Sequence, residues 1–223
     1  MLSLTISDLS KSLAGKVVLP KLSLQAKSGE VVLILGANGA GKSTLLKVCS
    51  GLWRSDLGKV ELNPSLPVNQ IGYASHQALL YGALTVRENM QLMSRLYGSN
   101  ADTEEALKIW GLSEHADSIL DRLSKGTIAR AALCRAFINN PRLLLLDEPS
   151  SNLDDAATEI LKKLVLQQVS NAAALVIIAS HDLHRILPVA TRVVMLESGE
   201  IAADSSQSGS IDGVVAKYQT RNR

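Results

Sequence analysis

Three short stretches of this chain, residues 31–35, 143–146 and 174–179, are unbroken runs of Val, Leu, Ile and Ala. A strand with one wet face alternates apolar and polar residues; a run without alternation marks a strand buried on both faces, as in a parallel sheet covered by helices. Leu2, Leu4 and Ile6 do alternate with polar neighbours, which predicts a half-exposed opening strand, and residues 16–26 predict a second before the turn at Ser28-Gly29. Residues 70–75 are also strand-like. Between residues 77 and 141 the texture changes to helical periodicity, in 86–97, 103–110 and 127–139. The pattern predicts one α/β domain over 1–223, with a core of 1–76 and 141–223 and an inserted helical lobe at 77–140. Residues 205–213 are small and polar and are expected to form a loop opening a polar tail, 205–223.

Composition narrows the class. With 223 residues, 46% hydrophobic and 20% charged, the chain can bury one globular core. A net charge of +2 builds no basic field of the kind nucleic acid requires. Cys49 and Cys134 lack any CxxC or His-rich companion and are expected to be buried thiols in a reducing compartment. The longest apolar stretch, 172–179, is far shorter than the roughly 20 residues that span a bilayer, and no basic segment followed by a long apolar core opens the sequence. The expectation is a protein that reaches a membrane only through partners.

The most specific chemistry lies in Gly36-Ala37-Asn38-Gly39-Ala40-Gly41-Lys42-Ser43-Thr44, directly after the first buried run. Strand, glycine spacing, lysine and paired hydroxyls together define a phosphate-binding P-loop rather than an ordinary glycine turn. Its glycines permit backbone shapes closed to other residues, so successive N–H groups can converge on phosphate. Lys42 adds a point charge and Ser43 a magnesium ligand. Residues 44–51 are expected to be helical, placing the loop at a helix N-terminus, where unpaired N–H groups attract anions.

The second buried run ends in Asp147 and Glu148, adjacent carboxylates suited to different tasks, one toward magnesium and one toward an attacking water. The alternative is a solvated acidic turn before Pro149. Leu123-Ser124-Lys125-Gly126-Thr127 precedes an expected helix and offers a second anion site. His181 follows the third buried run at the edge where ligands bind in open α/β sheets. Gln77 closes the strand-like 70–75.

In this order, with Ser151-Asn152-Leu153-Asp154 between the acidic pair and His181, these motifs resemble the ATP-binding-cassette ATPases from Leu2 to about Ala203. The resemblance implies a P-loop NTPase core of mixed, largely parallel sheet, an antiparallel N-terminal β part and an inserted helical lobe. It implies a head-to-tail dimer enclosing two ATP molecules, each between the P-loop of one copy and Ser124, Gly126 and the following helix of the other. Residues 36–44 and Asp154 would then hold nucleotide, Ser43, Gln77 and Asp147 would attend to Mg2+, Glu148 would polarise water, and His181 would contact the γ-phosphate.

Two departures from the family pattern stand out. LSKGT replaces the usual LSGGQ, keeping Ser124 and Gly126. No Phe, Tyr or Trp precedes Trp53, so Leu13 is the expected neighbour of the base, and weak base selectivity follows, since stacking on an aromatic is worth roughly 1–3 kcal/mol. Ile71 to Tyr81, with Leu84 to Met90 and Arg95 to Gly98, is similar to the ATPase subunit of the haem exporter of cytochrome c maturation. Thr85 and Glu88 in that stretch also suit a capping box. The resemblance implies integral membrane partners, haem touched only by those partners, and a peripheral place on the cytoplasmic side of the inner membrane. Other export ATPases, a soluble cassette ATPase of iron-sulfur assembly, and a nucleotide-gated module without turnover remain alternatives.

Overall fold

The structure is a computed structural model and describes residues 1–98 and 101–221. From the amino end run β1 (Ser3–Leu13), β2 (Lys16–Lys27), β3 (Val31–Leu35), α1 (Lys42–Cys49), β4 (Leu57–Asn63) and β5 (Ile71–Ala74). Three helices follow, α2 (Val86–Leu96), α3 (Thr103–Ile109) and α4 (Lys125–Phe137). Then come β6 (Leu143–Asp147), α5 (Asp155–Ala172), β7 (Leu175–Ala179) and α6 (Leu183–Ile186). β8 (Arg192–Glu197), β9 (Glu200–Asp204), α7 (Ser205–Ser208) and α8 (Ile211–Arg221) complete the described chain.

The apolar runs become the centre of a six-stranded sheet in the order β5-β6-β7-β3-β8-β9, parallel except for β9. Alternate residues of each run enter different cores, which is why no polar position interrupts them. Val31, Leu33 and Leu35 join Leu144 and Ile178 on the face covered by α4, α5 and α8. Val32 and Ile34 join Leu145 and Ile177 on the other, covered by α1 and by a three-stranded antiparallel sheet, β2-β1-β4. Each fully buried aliphatic side chain contributes about 1.5–3 kcal/mol.

The helical segment after Gln77 is organised by local caps. Thr85 Oγ1 accepts from Glu88 N at 3.1 Å and Glu88 Oε2 accepts from Thr85 N at 2.8 Å. The fully buried Asn89 side chain donates to the Tyr81 and Thr85 carbonyls and accepts from Tyr81 N, fastening the loop before α2 onto the helix. Thr85→Ala is expected to lower stability by about 1 kcal/mol in urea denaturation, the usual cost of such a cap.

The expected loop at 205–213 is instead α7 and the start of α8. Asp204 caps α7 by accepting from Ser206 N at 2.9 Å. Ile211, Val214, Val215 and Tyr218 follow the i, i+3, i+4, i+7 spacing of one helix face, and that face packs on the core. Burial of this stripe outweighs the polar composition ahead of it.

Candidate functional site

β5, β6, β7 and β3 are neighbours, so their carboxyl ends bring together the stretches singled out above. The glycine-rich loop leaves β3 and runs into α1, whose first residue is Lys42 rather than Thr44, because Gly41 sits at the cap with φ +100°. Gly36 is required by space: a Cβ there would lie 2.6 Å from the Leu196 carbonyl oxygen. The Lys42 ammonium is buried and donates to the carbonyls of Gly36 at 2.7 Å and Ala37 at 3.2 Å. Burial lowers its pKa, and the opposing pull of Glu148 and Asp147 is the smaller effect.

Asp147 at the end of β6 is 6% exposed, and its Oδ1 has no hydrogen-bond partner. Burial raises its pKa, against a lowering hydrogen bond from Ser43. Glu148 follows at φ +51°, a conformation uncommon for a residue with a side chain. Its Oε1 lies 2.9 Å from His181 Nδ1 and 3.8 Å from Lys42 Nζ, and its Oε2 accepts from Ser180 Oγ at 3.2 Å. Lys42, Ser43, Asp147, Glu148 and His181 therefore form one constellation. A cleft of about 520 Å³ opens beside it, walled by the loop residues Asn38, Gly39 and Gly41 to Thr44, by Glu148 and by Ser198.

Other expected residues fall elsewhere. Leu13 does not line this cleft; it pairs with Lys16 across the β1–β2 hairpin, and the residues past the Ala14-Gly15 turn, Lys16, Val17 and Val18, form the wall instead. That wall is still without an aromatic ring. Gln77 is exposed and absent from the cleft's lining; its carbonyl accepts from Ser75 Oγ at 3.0 Å. The Asp154 carboxylate caps α5, its Oδ1 accepting from Ala157 N at 2.7 Å, and does not line this cleft.

Ser124 caps α4, its Oγ accepting from Thr127 N at 3.1 Å, and Thr127 Oγ1 stands 2.9 Å from the same oxygen. A Cβ on Gly126 would be 3.2 Å from the Asn152 carbonyl oxygen, so this loop packs closely on Asn152 of its own chain. Ser124 and Gly126 are absent from the lining of the cleft that holds Lys42. Sequence reasoning missed Arg185, which donates to the Leu153 carbonyl at 2.8 Å and pairs with Asp155 at 3.1 Å, tying residues 151–155 to the segment carrying His181. No short-range signal identifies it, because its partners lie about 30 residues upstream.

A buried lysine in a glycine-rich loop, a hydroxyl at the following helix and a strand ending in two carboxylates define a P-loop nucleoside-triphosphate-binding domain. The sequence model of the family described as ABC transporter matches residues 19–151. The Fe(3+) ions import ATP-binding protein FbpC of Haemophilus influenzae is 32% identical over 89% of this chain, which spans 61% of that protein's length. The Nod factor export ATP-binding protein I of Rhizobium etli is 31% identical over 96% of this chain and 72% of its own length. A dimeric post-hydrolysis state of an ATP-binding cassette bound to ADP and Pi superposes with a TM-score of 0.81 at 26% identity, covering 90% of this chain and 97% of that one. The chain belongs to the ABC transporter family, as an ATP-binding ATPase domain.

Proposed function

We propose that two copies of this chain close head to tail on two ATP molecules and use their hydrolysis to drive integral membrane subunits. The observation that carries this reading is the separation of two anion sites: Lys42 and Ser43 line the cleft, while Ser124 and Gly126 do not. A second copy supplies the missing half. In this scheme the loop amides of residues 36–41 and Lys42 hold phosphate, Glu148 orients and polarises water, and His181, joined to Glu148, contacts the γ-phosphate.

The donor set suits Mg2+. The orphaned Asp147 Oδ1 is a buried anionic oxygen in want of a partner, and Ser43 stands beside it. Asp147 and Ser43 would hold the ion, with Gln77 completing the set when its exposed loop closes. Bound there, the ion neutralises phosphate charge. Removing it with EDTA is expected to abolish turnover, as measured by phosphate release.

Membrane partners are supported by Leu79 and Tyr81, apolar side chains 43% and 55% exposed on the loop that Asn89 fastens. No helix among the described residues is long and apolar enough to cross a membrane, so partners would bring the chain to the cytoplasmic face. The finer reading, haem export in cytochrome c maturation, is supported by residues 71–98; the relatives named above carry other cargoes, Fe(3+) and Nod factor. Isolation of the tagged chain from detergent-solubilised membranes is expected to recover membrane subunits, and Leu79→Asp with Tyr81→Asp to lose them. Recovery of the chain from cytosol alone overturns the transport reading. Normal c-type cytochromes in a deletion strain overturn haem export only.

A further inference from the structure

Beside the nucleotide cleft lies a second recess of about 270 Å³ that shares Asn38, Gly39 and Ser198 with it and is closed by Tyr218 and Arg221 of α8. Tyr218 is 8% exposed, joins Val214 in the core, and lines this recess together with residues 37–40. The Arg221 guanidinium pairs with Glu197 at the end of β8. Of the next two residues, Gly199 binds the P-loop, its N donating to the Ala40 carbonyl at 3.1 Å, and Ser198 lines both spaces. Only glycine fits at position 199, since at φ +82° a Cβ would lie 2.1 Å from the Val18 carbonyl oxygen. Lys217 Nζ, donating to the Ala202 carbonyl at 2.7 Å, pins α8 to β9. A continuous line of contacts thus runs from α8 through the β8–β9 turn to the loop.

We propose that α8 is a positioning element for the P-loop, acting through Tyr218, which bounds the same recess as residues 37–40, and through Arg221 held on Glu197. Burial and then the Glu148 charge raise the Tyr218 hydroxyl's pKa, so the ring lies within the field of that carboxylate. The proposal rests on ATP binding at the P-loop. Coupling of this kind is reciprocal: if α8 favours the ATP-competent loop, ATP must in turn stabilise the packing of α8.

Hydrogen–deuterium exchange of the full chain over residues 211–221, with and without Mg-ATP, tests the reciprocal arm. Exchange is expected to slow when ATP is added. Arg221→Ala is expected to raise the Kd for a fluorescent ATP analogue by about two- to five-fold, the scale of an exposed ion pair, with kcat at saturating ATP little changed. Arg221→Glu combined with Glu197→Arg restores the Kd, and Arg221→Lys, the mildest change, restores most of it. Unchanged exchange, an unchanged Kd, or a loss of kcat and melting temperature at constant Kd each overturns the proposal. A wild-type chain that binds no ATP overturns the P-loop reading instead.

Discussion

Glu148→Gln lowers ATP turnover by about 10²- to 10⁴-fold, the range for loss of a positioned general base. The substitution keeps the side chain's length and leaves an oxygen to accept from Ser180 Oγ, now 3.2 Å from Oε2. It removes the negative charge that His181 Nδ1 and Lys42 Nζ face at 2.9 and 3.8 Å. Nucleotide affinity should hold, because in the proposed arrangement the loop amides and Lys42 hold the phosphates, and relief of a like charge near the γ-phosphate favours binding. Unhydrolysed ATP then keeps the two copies joined, since a ligand that binds the closed dimer more tightly than the separate copies draws the population toward it. Light scattering with Mg-ATP is expected to show a dimer that wild type forms only transiently. A monomeric variant in the presence of ATP and membrane subunits would remove the sandwich arrangement, and wild-type turnover would remove Glu148 from the chemistry.

The site was legible where function constrains backbone and side chain together within a few residues. Gly36 to Thr44 and the Asp147-Glu148 pair are such segments, and their strands were marked by unbroken apolar runs that only a twice-covered sheet explains. Legibility failed where a residue's task is set by distant neighbours. The hairpin turn at Ala14-Gly15 puts Lys16 to Val18 rather than Leu13 against the cleft, a difference of a few residues that no local pattern encodes. Asp154 is the opposite case: its position just before a long helix suits the cap that its carboxylate forms, a task its own neighbours encode. The stripe of Ile211, Val214, Val215 and Tyr218 had a helical period; the serine-rich text before it hid the signal. Arg185 had no signal of its own.

Lys42→Met separates binding from folding. The phosphate loses a buried charged partner, a change that costs about 2–5 kcal/mol, or roughly thirty-fold in Kd at the low end. Folding of the nucleotide-free chain responds differently, because two effects oppose. The variant gives up the bonds to the Gly36 and Ala37 carbonyls, each worth about 1 kcal/mol, and is relieved of a desolvated ammonium. Since burial exceeds the attraction of Glu148 and Asp147 in setting the lysine's pKa, the relief offsets part of that loss, and stability without nucleotide should fall by less than the two bonds alone would cost. The pH dependence exposes the buried charge. Its pKa is lowered from 10.5, so between the folded value and the ordinary one the unfolded chain binds more protons, and wild-type stability gains from this group as pH rises through that window. The methionine variant lacks that contribution. Urea denaturation across an alkaline series, paired with nucleotide titration at neutral pH, measures both arms; an equal pH slope in the two proteins means that Lys42 is not held as a desolvated cation.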